Sequence, residues 1–274
     1  MLDIHKVSES QASDVTQSLL DETASLFLAT KETNFLAEFV VFLRRHIPLK
    51  HISFIEFKRG LQSRLLYVEG GGFDQDLKNY LSGVYLLDPY FSMYEKEGKT
   101  GVFYLDLSSW DNSETGDSFK RYWRRVTGNG ELACLHEIEP GRCIHISAML
   151  QVGSAQEAAD ALAFAKILDT TFACLFTLHF GTEDRTLDDD EETRRKLHER
   201  VSMILHEFGS DVLTAREREV VRLILKGQSS KSIATILNIA PGTVSIHCSN
   251  IYEKLGVAGH KELFGIFFSL LVGS

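Results

Sequence analysis

No stretch of this sequence is apolar for long enough to span a bilayer. The first residues, MLDIHKVSESQASD, lack a basic segment followed by a greasy one, so no secretory leader is expected. Cysteine is scarce. Cys134, Cys143, Cys174 and Cys248 share no C-x-x-C spacing, which predicts free thiols in a reducing, cytoplasmic setting. The four prolines form no proline-rich linker, and no internal repeat is visible. There is no Walker loop, no H-E-x-x-H and no G-x-S-x-G, and the ten histidines have no metal spacing. These absences argue against an enzyme, and no metal or cofactor is expected. Positive charge is also short: 29 Lys+Arg against 38 Asp+Glu give −9. Such a chain does not coat nucleic acid through bulk charge.

What is present is unevenly distributed. The 274 residues suggest two domains, and 44% hydrophobic with 24% charged residues is an ordinary globular composition. From Asp211 onward, seven basic against five acidic residues leave about +2. The rest therefore carries about −11 of the total of −9. The tail is compatible with a polyanion and the front is not.

Residues 1–181 read as a mixed α/β domain. Asp14 to Arg45 is helical with a break at 30–34; HISFIEF, SRLLYVEG and GVFYLDL read as strands. ELACLHEIEPGRCIHISAML reads as a hairpin turning at Glu139-Pro140-Gly141, and Ser154 to Ala173 as one Ala-rich helix capped by Ser154. Helices are also expected over 74–84 and 114–126. Antiparallel strands flanked by helices suggest an α/β/α sandwich of the PAS or GAF sensor kind, so the chain as a whole is α+β. Residues 182–210 read as a polar linker and an amphipathic helix, with Leu197, Val201, Ile204 and Phe208 on one face. A calcium loop in the acidic run has the wrong spacing. A phospho-receiver is not expected either, because the chain lacks the acidic pair and lysine such a domain needs.

Residues 211–274 read as four helices. Thr214 and Glu217 form a capping box, Pro241 opens the third helix and Gly256 closes it. Val244, Cys248, Ile251 and Leu255 recur at four, three, four on the inward face. LTAREREV, Leu237-Asn238-Ile239, Thr243-Val244, His247 and NIYEKLGV resemble the LuxR/FixJ type of helix-turn-helix. That resemblance implies a module that binds DNA as a homodimer, with the third helix in the major groove. By matching position, Ser245, Ile246, Ser249 and Asn250 face the bases. Ser229, Ser230, Lys231, Thr243 and Lys254 take the phosphates. This chain departs from the family at Ala240, Ser245 and Ser249, where serine or basic residues are usual, so dense positive charge cannot supply its affinity. The apolar residues of KELFGIFFSLL, Leu263, Ile266, Phe267, Leu270 and Leu271, offer a dimer surface.

NYLSGVYLLDPYFSMY resembles the segment that carries a tyrosine and an Asp-Pro in the autoinducer-binding domain of quorum-sensing LuxR regulators. The resemblance implies a small-molecule site using Tyr80 and Asp88. Tyr67, Tyr85, Phe103, Trp110 and His145 are further candidate lining residues, and Cys143, His145 and Ser147 alternate onto one strand face. The family's tryptophan before the tyrosine is missing. An acyl-homoserine lactone head would lose its indole donor, so the expected ligand is a different small molecule, as in a LuxR-solo-like relative. The competing expectation is a regulator controlled by a partner protein, with weak or lost DNA binding.

Overall fold

The computed structural model describes residues 9–70, 74–106, 130–151, 154–181, 188–226 and 228–272. Two helices come first, α1 (Glu9–Ala29) and α2 (Phe35–His46), separated where the break was expected. Five strands follow the alternation in the sequence: β1 (Leu49–Lys58), β2 (Arg64–Glu69), β3 (Gly101–Asp106), β4 (Gly130–Glu139) and β5 (Arg142–Leu150). They form one antiparallel sheet in the order β2-β1-β5-β4-β3. Between β2 and β3 lie α3 (Asp74–Leu81), a 3-10 turn at Val84–Leu87 and α4 (Pro89–Glu97). The expected helix over 114–126 falls outside the described residues.

Both faces of the central strands β1, β4 and β5 are buried, as an α/β/α sandwich requires, and the edge strands β2 and β3 are half-buried. One face presents Ile52, Phe54, Ile144 and Ile146 to α2 and to the helices after β5. There Phe39 meets Phe172 at 4.9 Å and Phe176 at 5.0 Å between ring centroids. The other face presents Ile55, Phe57, Ala133, Leu135 and Cys143 to α4 and the 3-10 turn. The single Ala-rich helix expected after β5 is two, α5 (Ala155–Ile167) and α6 (Asp169–Phe180). The 58° bend between them lays Phe172 and Phe176 onto the twisted sheet while Ser154 caps α5 as anticipated. Among the described residues no single helix is long and apolar enough to cross a membrane; only the bent α5–α6 pair passes that test, taken together.

The amphipathic stretch after the acidic run is α7 (Asp188–Glu207). It docks within the chain. Glu56, 1% exposed at the end of β1, receives Arg142 Nε at 2.7 Å, Arg194 Nη2 at 2.9 Å and Arg64 Nη2 at 3.2 Å. Arg194 belongs to α7 and also donates to the Gln62 carbonyl at 2.9 and 2.7 Å. Lys58 pairs with Glu191 in the first turn of α7. Burial pushes the Glu56 carboxyl up, but the three guanidiniums outweigh it and hold it below the usual carboxylate value. Its contribution to stability is therefore present above the unfolded carboxylate pKa and is lost as pH falls through the lower folded value.

The last four helices are α8 (Ala215–Leu225), α9 (Ser230–Leu237), α10 (Pro241–Leu255) and α11 (His260–Val272). They enclose Val220, Val221, Ile224, Ile233, Val244, Ile251, Leu263 and Phe267. This apolar core continues into the α4 side of the sheet through Val201 and Phe208. Phe208 and Phe267 meet edge-on at 5.3 Å. Glu56→Ala strips the counter-charge from three guanidiniums, so it is expected to cost about 3–5 kcal/mol in chemical denaturation of the full chain.

Candidate functional site

Each end of α10 is fixed by local chemistry. Asn238 closes α9 in the left-handed region at φ 52°, Pro241 takes the first position of α10, and Gly256 leaves it at φ 65°. Val244, Cys248 and Ile251 turn inward and are buried. Ser245, Ile246, Ser249 and Asn250 are exposed together on the outward side, with Ile246 at 62%. The hydroxyls of Ser245 and Ser249 donate to carbonyls one turn back, at 3.3 and 3.2 Å, and keep acceptor lone pairs outward. At the start of α9, Ser229 caps the helix by accepting from the Ser232 N–H at 3.1 Å. Ser230 and Thr243 are half-buried and Lys231 is exposed.

Lys254, an expected phosphate contact, is exposed and has a partner that the sequence did not suggest. Its Nζ donates to both oxygens of Glu217, at 2.9 and 2.7 Å. Glu217 also accepts from the Thr214 N–H at 2.8 Å and hydroxyl at 2.9 Å, completing the capping box of α8. Burial pushes the Glu217 carboxyl up, but Lys254 and Thr214 bring it below the usual range. The one lysine of α10 thus closes the helical module on itself, because a buried carboxylate needs a counter-charge more than an exposed groove face does.

The second cluster is built around α4. Asp88 is its N-cap, with Pro89 at the first helical position. Asp88 Oδ1 accepts from the Tyr90 N–H at 2.7 Å and the Phe91 N–H at 3.4 Å, and Oδ2 from the Tyr80 hydroxyl at 2.6 Å. Complete burial pushes the Asp88 carboxyl up to about 6 despite those three donors. Phe103 and His145 lie on the same face of the sheet, and Tyr90 bridges them, with ring centroids 6.2 and 5.3 Å away. Tyr85 is adjacent, but its hydroxyl is 3.0 Å from His198 Nδ1 on α7. Tyr67 lies elsewhere. A register shift between Phe54 and Ile55 puts both Leu66 and Tyr67 on the α2 side, where Tyr67 packs on Phe54 and donates to Glu69 at 3.1 Å. Trp110 lies outside the described residues.

Two residues of this face, Tyr90 and Glu131, were not among the expected lining set, whereas Ser147 was expected there with Cys143 and His145. Glu131 is 1% exposed and receives the Ser147 hydroxyl. Its place in ELACLHEIE, in phase with Ala133 and Leu135, is the one sequence signal that it points inward. Among the described residues no group of His, Cys, Asp and Glu is arranged to hold a metal ion.

Helices α8 to α11 form a helix-turn-helix module, joined to an antiparallel sandwich. Residues 211–266 match the model of the bacterial regulatory proteins, luxR family, and the C-terminal module belongs to that family. It is 39% identical over 72 residues to an HTH-type transcriptional regulator encoded in the exeN 3′ region of Aeromonas salmonicida. That match covers 26% of this chain and 37% of the relative. The transcriptional regulatory protein UhpA of Escherichia coli is 45% identical over 53 residues, covering 19% of this chain and 27% of UhpA. The chain thus spans only 37% and 27% of these two relatives' lengths, and what is shared is the helical module. The fold of the rest is like that of the crystal structure of the VqsR LBD domain from Pseudomonas aeruginosa. The TM-score is 0.50 at 17% identity, over 61% of this chain and 98% of that one.

Two measurements check these assignments. Lys254→Gln is expected to lower the stability of the full chain by about 1 kcal/mol or less, since the lysine is partly solvated. It should leave the salt slope of DNA binding unchanged, whereas loss of a phosphate contact would reduce that slope by about one. For Asp88, a carboxyl raised in the folded state contributes stability that is present below its unfolded value and lost as pH climbs through about 6. Urea titrations at stepped pH should show Asp88→Asn gaining on the parent chain between about pH 4 and about pH 6.

Proposed function

We propose that this protein is a DNA-binding transcriptional regulator that works in the cytoplasm as a homodimer on two half-sites. A small molecule bound on the α4 face of the sheet gates it. The observation that carries the reading is the outward side of α10, where Ser245, Ile246, Ser249 and Asn250 are presented together in a LuxR-family module. Asn250 has the donor–acceptor edge that reads adenine, serine suits any base, and Ile246 suits a thymine methyl. Ser229, Ser230, Lys231 and Thr243 can take phosphates, together with backbone N–H groups at the helix starts.

Dimerisation rests on α11 in this reading. Leu263, Phe267 and Leu271 are spent on the core, which leaves Ile266 and Leu270, 42% and 47% exposed and one turn apart, as the outward apolar pair. Two copies double the contacts of a recognition helix that has little charge of its own.

Gating is supported by Gly83. It lies between Tyr80 and Asp88 in a conformation, φ 148°, that favours glycine. A Cβ there would sit 2.6 Å from Val201 on α7 and 3.3 Å from Leu271 on α11. A ligand that shifts the Tyr80–Asp88 segment therefore acts directly on the seat of the DNA-reading module.

The engagement of Lys254 with Glu217 favours a second reading, control by a partner protein with weak DNA binding. Gel shifts with the full chain across salt separate the two. The first reading expects a dimer that retards a two-half-site duplex at low ionic strength; a strict monomer equally indifferent to every duplex would overturn it. Asn250→Ala is expected to cost about 1–3 kcal/mol at its cognate base pair and little at others.

A further inference from the structure

Helix α8 and the end of α4 gather positive charge that the fold leaves unanswered. Arg218, Arg222 and Lys226 recur every four residues along α8 and its C-cap, so they line one side of the helix, where like charges weaken it. All three are half-buried. The acids of α8 are committed elsewhere, Glu217 to Lys254 and Glu219 to Arg216, both at 2.7 Å. Arg222 Nη2 donates to the His206 carbonyl at the end of α7 at 3.4 Å, which turns the stripe toward the seam with the sandwich. The Nε atoms of Arg218 and Arg222 are buried and have no hydrogen-bond partner among the described residues.

Lys96, in the last turn of α4, closes the cluster from the other side of that seam. Its ammonium and that of Lys226 are within hydrogen-bonding reach of each other. Ammonium groups only donate, so the contact satisfies neither while both are protonated. Burial and Lys96 push the Lys226 pKa down to about 8, and Glu95 acts the other way without prevailing. Glu95 is itself 3.8 Å from His198 Nε2. The negative end of the α8 dipole favours one cation there, not a cluster. Lys96, Arg222 and Lys226 against Glu95 leave an excess of two positive charges. An oxyanion between them would accept from each, and such charge-assisted bonds are the strong ones. A dianion matches the excess, whereas a monocarboxylate leaves half of it standing. A phosphate group also has enough oxygens to meet donors from two helices at once.

We propose that Lys96, Arg222 and Lys226 form a site for a dianionic phosphate, free or carried as a monoester, which bridges α4 of the sandwich and α8 of the helical module. The site requires neither the small-molecule reading nor DNA binding.

Thermal melting of the full chain tests it, at about pH 7.5, where a phosphomonoester carries nearly two charges. The probes are inorganic phosphate, glycerol 3-phosphate and acetate, all at one ionic strength made up with sodium chloride. The variants are Lys96→Gln, Lys226→Gln and the two together. Without phosphate, the double variant is expected to melt at or above the parent, because the repulsion is gone. A clear drop means that the lysines already have counter-charges, and overturns the proposal. Inorganic phosphate is expected to raise the parent's melting temperature and acetate to leave it unchanged. Apparent phosphate affinity should be on the order of tenfold weaker in each single variant. A matching shift with glycerol 3-phosphate supports a site open to esters, and a shift with inorganic phosphate alone supports one closed around the free ion. Weakening in Lys226→Gln but not in Lys96→Gln overturns the bridge. Equal phosphate shifts in the parent and the double variant mark a general salt effect and overturn the site, as does a parent that neither phosphate probe stabilises.

Discussion

Glu56 is the point at which the molecule is tied together. One buried carboxylate gathers arginines from β2, β5 and α7, so the end of the sheet, its first hairpin and the connecting helix share a single counter-ion. Three guanidiniums around one acid leave excess positive charge in a dry place. The fold disperses it onto the carbonyls of Gln62 and Phe180 and onto Glu139 at 3.6 Å. Such a node adds little net stability, because desolvation consumes most of the attraction. What it fixes is geometry. With α7 anchored at its N-terminal end, Val201 reaches the Tyr80–Asp88 segment, and Phe208 reaches the helical module.

That placement explains the division of labour on the two faces of the sheet. The α2 side is a cluster of phenylalanine rings and needs no polar chemistry. The α4 side mixes rings with Asp88, Glu131, His145 and Ser147, and every one of these polar groups is held in a strand or at a helix cap, where its position is rigid. Rigid polar groups within an apolar wall are the ordinary composition of a small-molecule site. The same wall is continuous with the core of α8 to α11, so one packing arrangement serves both ends.

How much of this was legible in the sequence depended on the range of the interaction. The helical module was readable almost residue by residue because its determinants are local: the Thr214–Glu217 box, Asn238 in the left-handed region, Pro241, Gly256 and a four-three-four apolar period. The strands were readable to within two residues from their alternation. What failed was longer-ranged. Alternation could not show that one extra residue in β2 moves Tyr67 to the far face. Charge at a helix surface could not show that Lys254 answers a glutamate 37 residues earlier. A glutamate in a strand normally faces water, so Glu131 gave no sign of its burial beyond its phase with Ala133 and Leu135.

The pairing of Lys254 with Glu217 also bears on how a module of this kind treats unrelated duplex. A reading helix stripped of fixed charge holds poorly to random chromosome, since indiscriminate attraction is mostly electrostatic. On the proposed reading, discrimination then rests on base edges and not on bulk charge.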